Sequence, residues 1–146
     1  MRPMRRRGAG GLAALAILAA TPCGAQVADS SRVIDNWSEM RAALRRCWEV
    51  PSGTEGSFVT YRFSLAKTGA LIGQKLVTGK HLAGDEAARA RFLESGEALL
   101  RTCLPLPVTP SFGAQFGLNT ITLTLVNGAA VAPRNLNNAI TLSARN

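Results

Sequence analysis

The sequence has 146 residues, of which 17 are Lys or Arg and 9 are Asp or Glu, with one His and three Cys. Four of the basic residues and none of the acidic ones lie in residues 1–25, so the rest of the chain carries a net charge of +4. A charge this moderate gives no support to a nucleic-acid partner. We expect one domain of about 120 residues that binds no nucleic acid.

Residues 1–25 have the pattern of a secretory signal peptide. The segment MRPMRRR carries four arginines, and the apolar run GLAALAILAA follows it. This run is shorter than the about 20 apolar residues that a membrane-spanning helix needs. Because small residues precede Gln26, we predict cleavage after Ala25. The mature protein is then exported and has no membrane span; a lipid anchor at Cys23 and an uncleaved anchor stay open as alternatives.

The first predicted element after this leader is an amphipathic helix. Candidate N-caps are Asp29, Ser30 and Ser31. Apolar side chains then recur every three or four residues, which places them on one buried face. These residues are Val33, Trp37, Met40, Leu44 and Cys47. The helix ends before Pro51, and its basic residues are interpreted as a solvated face.

A β-hairpin is predicted next. The segment FVTYRFSL alternates strictly, which is typical of a half-buried strand. Its inward residues are Val59, Tyr61, Phe63 and Leu65. Residues 66–70 form the turn, and residues 71–78 are the return strand, whose pattern is weaker because Gly73 interrupts it.

A second helix and a third strand follow the hairpin. Asp85 and Glu86 are acids that favour a helix N-terminus, and prolines 105 and 107 prevent continuation. The predicted buried face consists of Ala88, Phe92, Gly96, Leu99 and Cys103. The segment NTITLTLV alternates cleanly and predicts the third strand. In the tail, residues 131–146, the segment AITLS is predicted either as an extra edge strand or as no strand.

Cys47 and Cys103 remain after cleavage, and a disulfide is the default for such a pair in an oxidising compartment. Each cysteine ends a predicted helix on its buried face, so the bond joins the two helices. A zinc site lacks ligands, since His81 is the single histidine, and no C-x-x-C spacing supports a redox pair. We therefore expect neither metal nor cofactor.

The predicted fold class is α+β in two layers, with the order α-β-β-α-β and both helices on one face of a small antiparallel sheet. No motif supports an enzyme. His81 lies in a predicted loop, and none of Ser57, Ser64 and Ser95 lies in a nucleophile elbow. We expect no catalytic residues, and an enzyme whose site the sequence does not reveal stays open as an alternative.

Several short motifs together resemble a known family. They are W-x2-M-x3-L-x2-C-W at residues 37–48, VTYRFSL, a turn with Gly69, and ALLRTCLPLP. In this order they resemble the C-terminal periplasmic domain of TolA, within the wider TonB C-terminal superfamily, and are most similar to alphaproteobacterial versions. The resemblance covers about residues 33–127 and identifies residues 26–130 as the domain.

The resemblance implies a bacterial periplasmic module that binds envelope proteins, either of the Tol-Pal type or outer-membrane receptors, often by strand addition. The chain lacks the Pro-rich or Ala/Lys-rich rod of those proteins and the Tyr-Pro motif of TonB. Energy transduction is therefore not expected, and partner binding is the function that the resemblance still implies.

A three-stranded sheet has two edges, and an exposed edge is a template for another strand. We expect residues 121–126 to form such an edge. The candidate partner-binding residues are Leu118, Thr120, Ile121, Thr122, Leu123, Thr124 and Leu125. In the alternative, the tail strand at residues 140–143 pairs with this strand and closes it. The chain would then be a structural or stress-related envelope protein with closed sheet edges and no role in energy transduction.

Overall fold

A computed structural model describes residues 32–117, 119–128 and 138–144 of the chain. The predicted signal peptide, the three N-cap candidates at residues 29–31 and Leu118 lie outside the described residues. The elements in chain order are α1 Trp37–Cys47, β1 Phe58–Leu65, β2 Leu71–His81, α2 Glu86–Cys103, α3 Pro110–Gly113, β3 Thr120–Val126 and β4 Ala139–Ser143.

The four strands form one sheet in the order β2-β1-β3-β4. β1 is antiparallel to both of its neighbours, whereas β4 is parallel to β3. The predicted α+β class and the predicted order α-β-β-α-β are confirmed, with the short α3 as an additional element. The three predicted strands pair antiparallel, as expected, and the tail, where the sequence left an extra edge strand open, adds a parallel one. A parallel neighbour requires a crossover of about a dozen residues, and 12 residues separate Val126 from Ala139.

One face of the sheet carries the core. The predicted alternation of β1 and β3 is confirmed, since their inward residues are all buried. These side chains form one apolar cluster with residues of both long helices, such as Met40 and Leu44 of α1 and Phe92 and Leu99 of α2. The Tyr61 hydroxyl donates a hydrogen bond of 3.4 Å to the Leu93 carbonyl, which ties β1 to α2. Both helices therefore cover the same face.

Helix α1 begins later than the sequence predicts. The Asn36 side chain is the N-cap and accepts a hydrogen bond of 3.0 Å from the Glu39 backbone N–H. Ile34 instead forms a parallel bridge with Val108, and its N–H donates to the Pro107 carbonyl at 2.7 Å. This extended pairing keeps the segment before residue 36 out of the helix. Val33, predicted on the buried face, is 51% exposed.

Helix α2 follows its prediction closely. The Asp85 side chain accepts a hydrogen bond of 2.7 Å from the Ala88 N–H, and all five predicted face residues are buried. Gly96 has a packing role, because a Cβ atom there would lie 2.5 Å from the Tyr61 hydroxyl oxygen. The lack of a side chain at residue 96 lets α2 approach β1 closely.

The Cys47–Cys103 disulfide joins the last residues of α1 and α2, whose Cα atoms are 6.1 Å apart. Cys103 is buried, but Cys47 is exposed, so the expectation that both lie on a buried face is wrong for Cys47. Within α1, burial ends with Leu44, and the chain then turns so that Trp48 enters the core. The bond therefore connects the two helices from the solvent side of α1.

Candidate functional site

The predicted edge strand is not an edge. β3 pairs with β1 on one side and with β4 on the other, so the expectation of an exposed edge at residues 121–126 is wrong. The side chains of Ile121, Leu123 and Leu125 are buried, while the three threonines of β3 lie half-buried on the outer face. The tail strand closes β3, as in the alternative that the sequence left open. The reason is that Ile140 and Leu142 alternate on β4 and both enter the core.

The outer side of β4 is short and in part occupied. The Ala144 N–H donates to the Val126 carbonyl, so the neighbouring Ser143 carbonyl points away from β3. That carbonyl accepts a hydrogen bond of 3.1 Å from the Arg45 guanidinium of α1. Only five residues form this strand, and the helix layer already satisfies one of its outward groups.

The opposite end of the sheet is open. β2 has 11 residues, pairs only with β1 among the described strands, and contains no buried residue. We call the side of β2 that faces away from β1 the β2 edge. Three large apolar side chains of β2 are exposed: Ile72 by 50%, Leu76 by 59% and Val77 by 48%. The sequence contained a signal for this surface, since these residues are apolar without the alternation of a half-buried strand.

The backbone direction along β2 follows from the pairing of β1. The Ser57 carbonyl accepts a hydrogen bond from the Asn127 N–H of the β3 side. Since backbone groups of a strand alternate in direction, the odd residues of β1 point to β3 and the even ones to β2. Val77 lies opposite Tyr61 and Lys80 lies opposite Val59. Their own N–H and C=O groups therefore point to the β2 edge.

Two irregularities shorten the regular part of this edge. The register between β1 and β2 shifts between Thr60 and Tyr61 and again between Arg62 and Ser64. Gly73 lies in the second irregular region with a φ of +67°, a conformation that favours glycine. Bulges are a common protection of exposed edges against unspecific pairing. The stretch of residues 76–81, with one shift, is the best template for an added strand.

The outer face beside this stretch combines apolar and basic side chains. Arg62 of β1 is exposed and lies opposite Leu76. The prediction that His81 lies in a loop is wrong, because it is the last residue of β2 and its ring stacks on Phe58 at 6.2 Å between centroids. The pairing of residue 81 with residue 58 extends the strand beyond the predicted end at Thr78.

A separate groove lies on the helix side, between the segment after α1 and α2. It has a volume of about 660 Å³ and is lined in part by Cys47, Val50, Pro51 and Leu99. It contains none of the predicted partner-binding residues. Within the described residues, no three His, Cys, Asp or Glu side chains are grouped so that they could hold a metal ion.

Tyr61 is the described side chain with a clear change in acidity. Burial first, and then the negative charges of Glu97 and Glu94, raise the pKa of its phenol to about 12. The hydroxyl therefore stays protonated up to strongly alkaline pH and donates to the α2 backbone. Its place in the core indicates a structural group.

A buried polar cluster that the sequence did not reveal holds the start of β1. The Asn127 amide, directly after β3, donates a hydrogen bond of 2.8 Å to the Thr54 hydroxyl, and that hydroxyl donates to the Pro51 carbonyl at 2.7 Å. The Ser57 hydroxyl accepts a hydrogen bond of 2.9 Å from the Ala83 N–H, two residues after β2. This network holds the ends of β1, β2 and β3 together, next to residues 79–81 of the β2 edge.

Comparison with known protein families gives a match over most of the chain. The model of a protein family described as "Uncharacterised conserved protein UCP034077" matches residues 30–129. Neither the curated proteins nor the solved structures include a significant match. In the part of the chain that the structure describes, no helix has both the length and the apolar character required to cross a bilayer.

Proposed function

The chain belongs to the family of Uncharacterised conserved protein UCP034077, and we propose that it is a periplasmic interaction module that binds partner proteins by strand addition at the β2 edge. The observation that carries this proposal is the 11-residue edge strand with three exposed large apolar side chains. Such an edge offers backbone hydrogen bonds for affinity and side-chain contacts for selection.

The compartment is supported by the disulfide. A Cys47–Cys103 bond indicates an oxidising, exported environment. The periplasm and the bacterial envelope are part of the proposal and come from the resemblance to TolA and TonB C-terminal domains. The same resemblance directs the search for partners to Tol-Pal-type proteins and outer-membrane receptors.

The β2 edge is a better docking template than the outer side of β4. β4 is less than half as long, and Arg45 already binds one of its outward carbonyls. Val77 and Lys80 direct their backbone groups outward on β2, and Leu76 adds an apolar contact beside them. An added strand would therefore gain both hydrogen bonds and apolar contact area on β2.

The proposed role is not enzymatic. The second candidate is a structural envelope protein with closed sheet edges. The pairing of β4 with β3 favours it, because it closes the β3 edge that the five predicted elements would leave open. The two candidates differ in one property, which is whether another chain occupies the β2 edge in the cell.

Site-specific photocrosslinking in intact cells tests this difference. A benzophenone amino acid replaces Leu76 at the β2 edge or, as the matched control, Thr122 on the outer face of the central strand β3. We expect a discrete protein adduct from residue 76 and none from residue 122, since an added strand lies about three strand spacings, or about 14 Å, from β3.

A proline variant tests the backbone contribution. Val77→Pro removes an N–H that points outward, so the ladder with β1 is kept; Val77→Ala is the control that retains the N–H. In the proposed mode, Val77→Pro abolishes the adduct of residue 76, and Val77→Ala leaves most of it. An adduct that survives Val77→Pro, or one that forms equally from residue 122, contradicts strand addition at this edge.

A further inference from the structure

Charge is unevenly distributed between the sheet and the helix layer. The four strands contain three cationic residues, Arg62, Lys75 and Lys80, and no carboxylate. All acidic residues of the described part lie on α1, on α2 or in loops. A strand that adds to the sheet therefore meets only positive formal charges on the strands themselves.

Two acidic side chains of α2, Glu94 and Glu97, are already paired. Lys75 Nζ lies 2.7 Å from Glu97 Oε2, and Arg101 Nη2 lies 2.9 Å from Glu94 Oε1. Arg62 and Lys80 are exposed and form no ion pair within the described residues. Lys80 on β2 and Arg62 on the neighbouring strand β1 are thus cations that are available for a partner.

These cations stand next to the exposed apolar side chains. Arg62 is directly opposite Leu76, and Lys80 lies three positions after Val77 on the same strand. The edge therefore presents apolar contact area and positive charge within the same short stretch. A partner with complementary chemistry has apolar and acidic residues in one extended segment.

We propose that the segment that adds to β2 is an acidic extended peptide of another protein, with carboxylate side chains interspersed among apolar ones. This inference rests on the strand addition proposed above and specifies the chemistry of the partner. Arg62 and Lys80 select for the acidic segment, since a basic segment would bring like charges together in a partly desolvated contact.

The test uses three synthetic peptides of about nine residues, which is within the usual range of strand lengths. Each has Val at odd positions and either Glu, Gln or Lys at even positions. Binding is measured by fluorescence anisotropy, and amide chemical shifts locate the contact on the chain. We expect the Glu peptide to bind about 3- to 10-fold more tightly than the Gln peptide, and the Lys peptide to bind most weakly. The preference should shrink between about 0.02 M and about 0.3 M salt.

Charge reversal provides the matched variants. Arg62→Glu with Lys80→Glu is expected to invert the order, so that the Lys peptide binds best. Arg41→Glu with Arg46→Glu makes the same change in net charge on α1, which packs against β4 at the other end of the sheet, and should keep the preference for Glu. Circular dichroism confirms that each variant is folded before binding is compared.

The outcomes separate the two proposals. If all three peptides bind at residues 71–81 with equal affinity, or if charge reversal leaves the order unchanged, the acidic partner is excluded and strand addition stands. If no peptide binds and no shift change occurs along β2, strand addition itself is contradicted, and the inference about its partner is lost with it.

Discussion

The two outer strands of the sheet have opposite relations to the core. β4 is a five-residue segment near the C-terminus whose apolar residues Ile140 and Leu142 are almost completely buried. β2 is an 11-residue strand in a hairpin with β1, and none of its residues is buried. The long strand belongs to the predicted hairpin, whereas the short one is the segment that the sequence predicted either as an extra edge strand or as no strand.

The difference shows that strand length and local pairing do not decide burial. α1 packs against β4 and supplies Met40 and Leu44 to the cluster that covers it. On the other side, β2 receives the Lys75–Glu97 ion pair from α2 instead of an apolar cover. One outer strand is therefore part of the core, and the other is available for contacts.

The largest expected effect on stability concerns the disulfide that joins α1 and α2 on the covered face of the sheet. Replacing Cys47 and Cys103 by Ser is expected to lower the free energy of unfolding by about 4 kcal/mol, from the loop-closure entropy of a 56-residue separation. Urea denaturation measures this loss, and reduced wild-type protein is the control with the same covalent state. A change below about 1 kcal/mol would show that packing alone orients the two helices.

The comparison of the two outer strands is tested most directly by Leu142→Ala. Leu142 of β4 is fully buried, so its truncation leaves a cavity and should cost about 3 kcal/mol of unfolding free energy. The measurement is again urea denaturation. A loss below about 1 kcal/mol would mean that β4 is a peripheral strand and that the contrast with β2 is wrong.

Alkaline pH tests the contact that Tyr61 makes between β1 and α2. The pKa of Tyr61 is raised from 10.0 to about 12 in the folded chain. Its contribution to the free energy of unfolding is therefore fully present below pH 10 and is lost as pH rises through about 12. This difference in pKa amounts to about 3 kcal/mol of unfolding free energy. Tyr61 is the single tyrosine, so tyrosinate absorbance reports its titration alone.

The matched variant for this titration is Tyr61→Phe. It should unfold with a weaker pH dependence between pH 10 and about 12, because the titrating group is removed. Titration of Tyr61 near pH 10 in protein that is still folded would contradict the buried environment of this side chain.

The smallest effect on stability is expected for Leu76→Ala, the counterpart of Leu142→Ala on the open strand. Leu76 is 59% exposed, and its truncation should change the unfolding free energy by less than about 0.5 kcal/mol. The same variant should weaken binding of the Val-Glu peptide. A large loss of stability would show that residue 76 belongs to the core and that the β2 edge is not free for a partner.

Much of the fold was predictable from short-range patterns. The alternation of β1 and β3, the buried face of α2, the hairpin and the disulfide pairing were all correctly predicted. Each depends on apolar spacing or on the chemistry of two cysteines in an exported chain, which the sequence contains directly.

The errors have a common cause in pairing between distant segments. The start of α1 is set by the bridge of Ile34 with Val108, and the length of β2 is set by the pairing of His81 with Phe58. The candidate site was misplaced for the same reason, since residues 139–143 cover β3 and leave β2 at the end of the sheet. Local propensity contains no information on which strand becomes an edge.

The sequence by itself determined which residues of each element turn inward, because the periods of helix and strand follow from local geometry. The tertiary structure alone decided the order β2-β1-β3-β4 and therefore which strand is exposed. Strand order depends on the burial gained when Ile140 and Leu142 pack beneath α1. That gain exists only after segments about 100 residues apart have met in the folded domain.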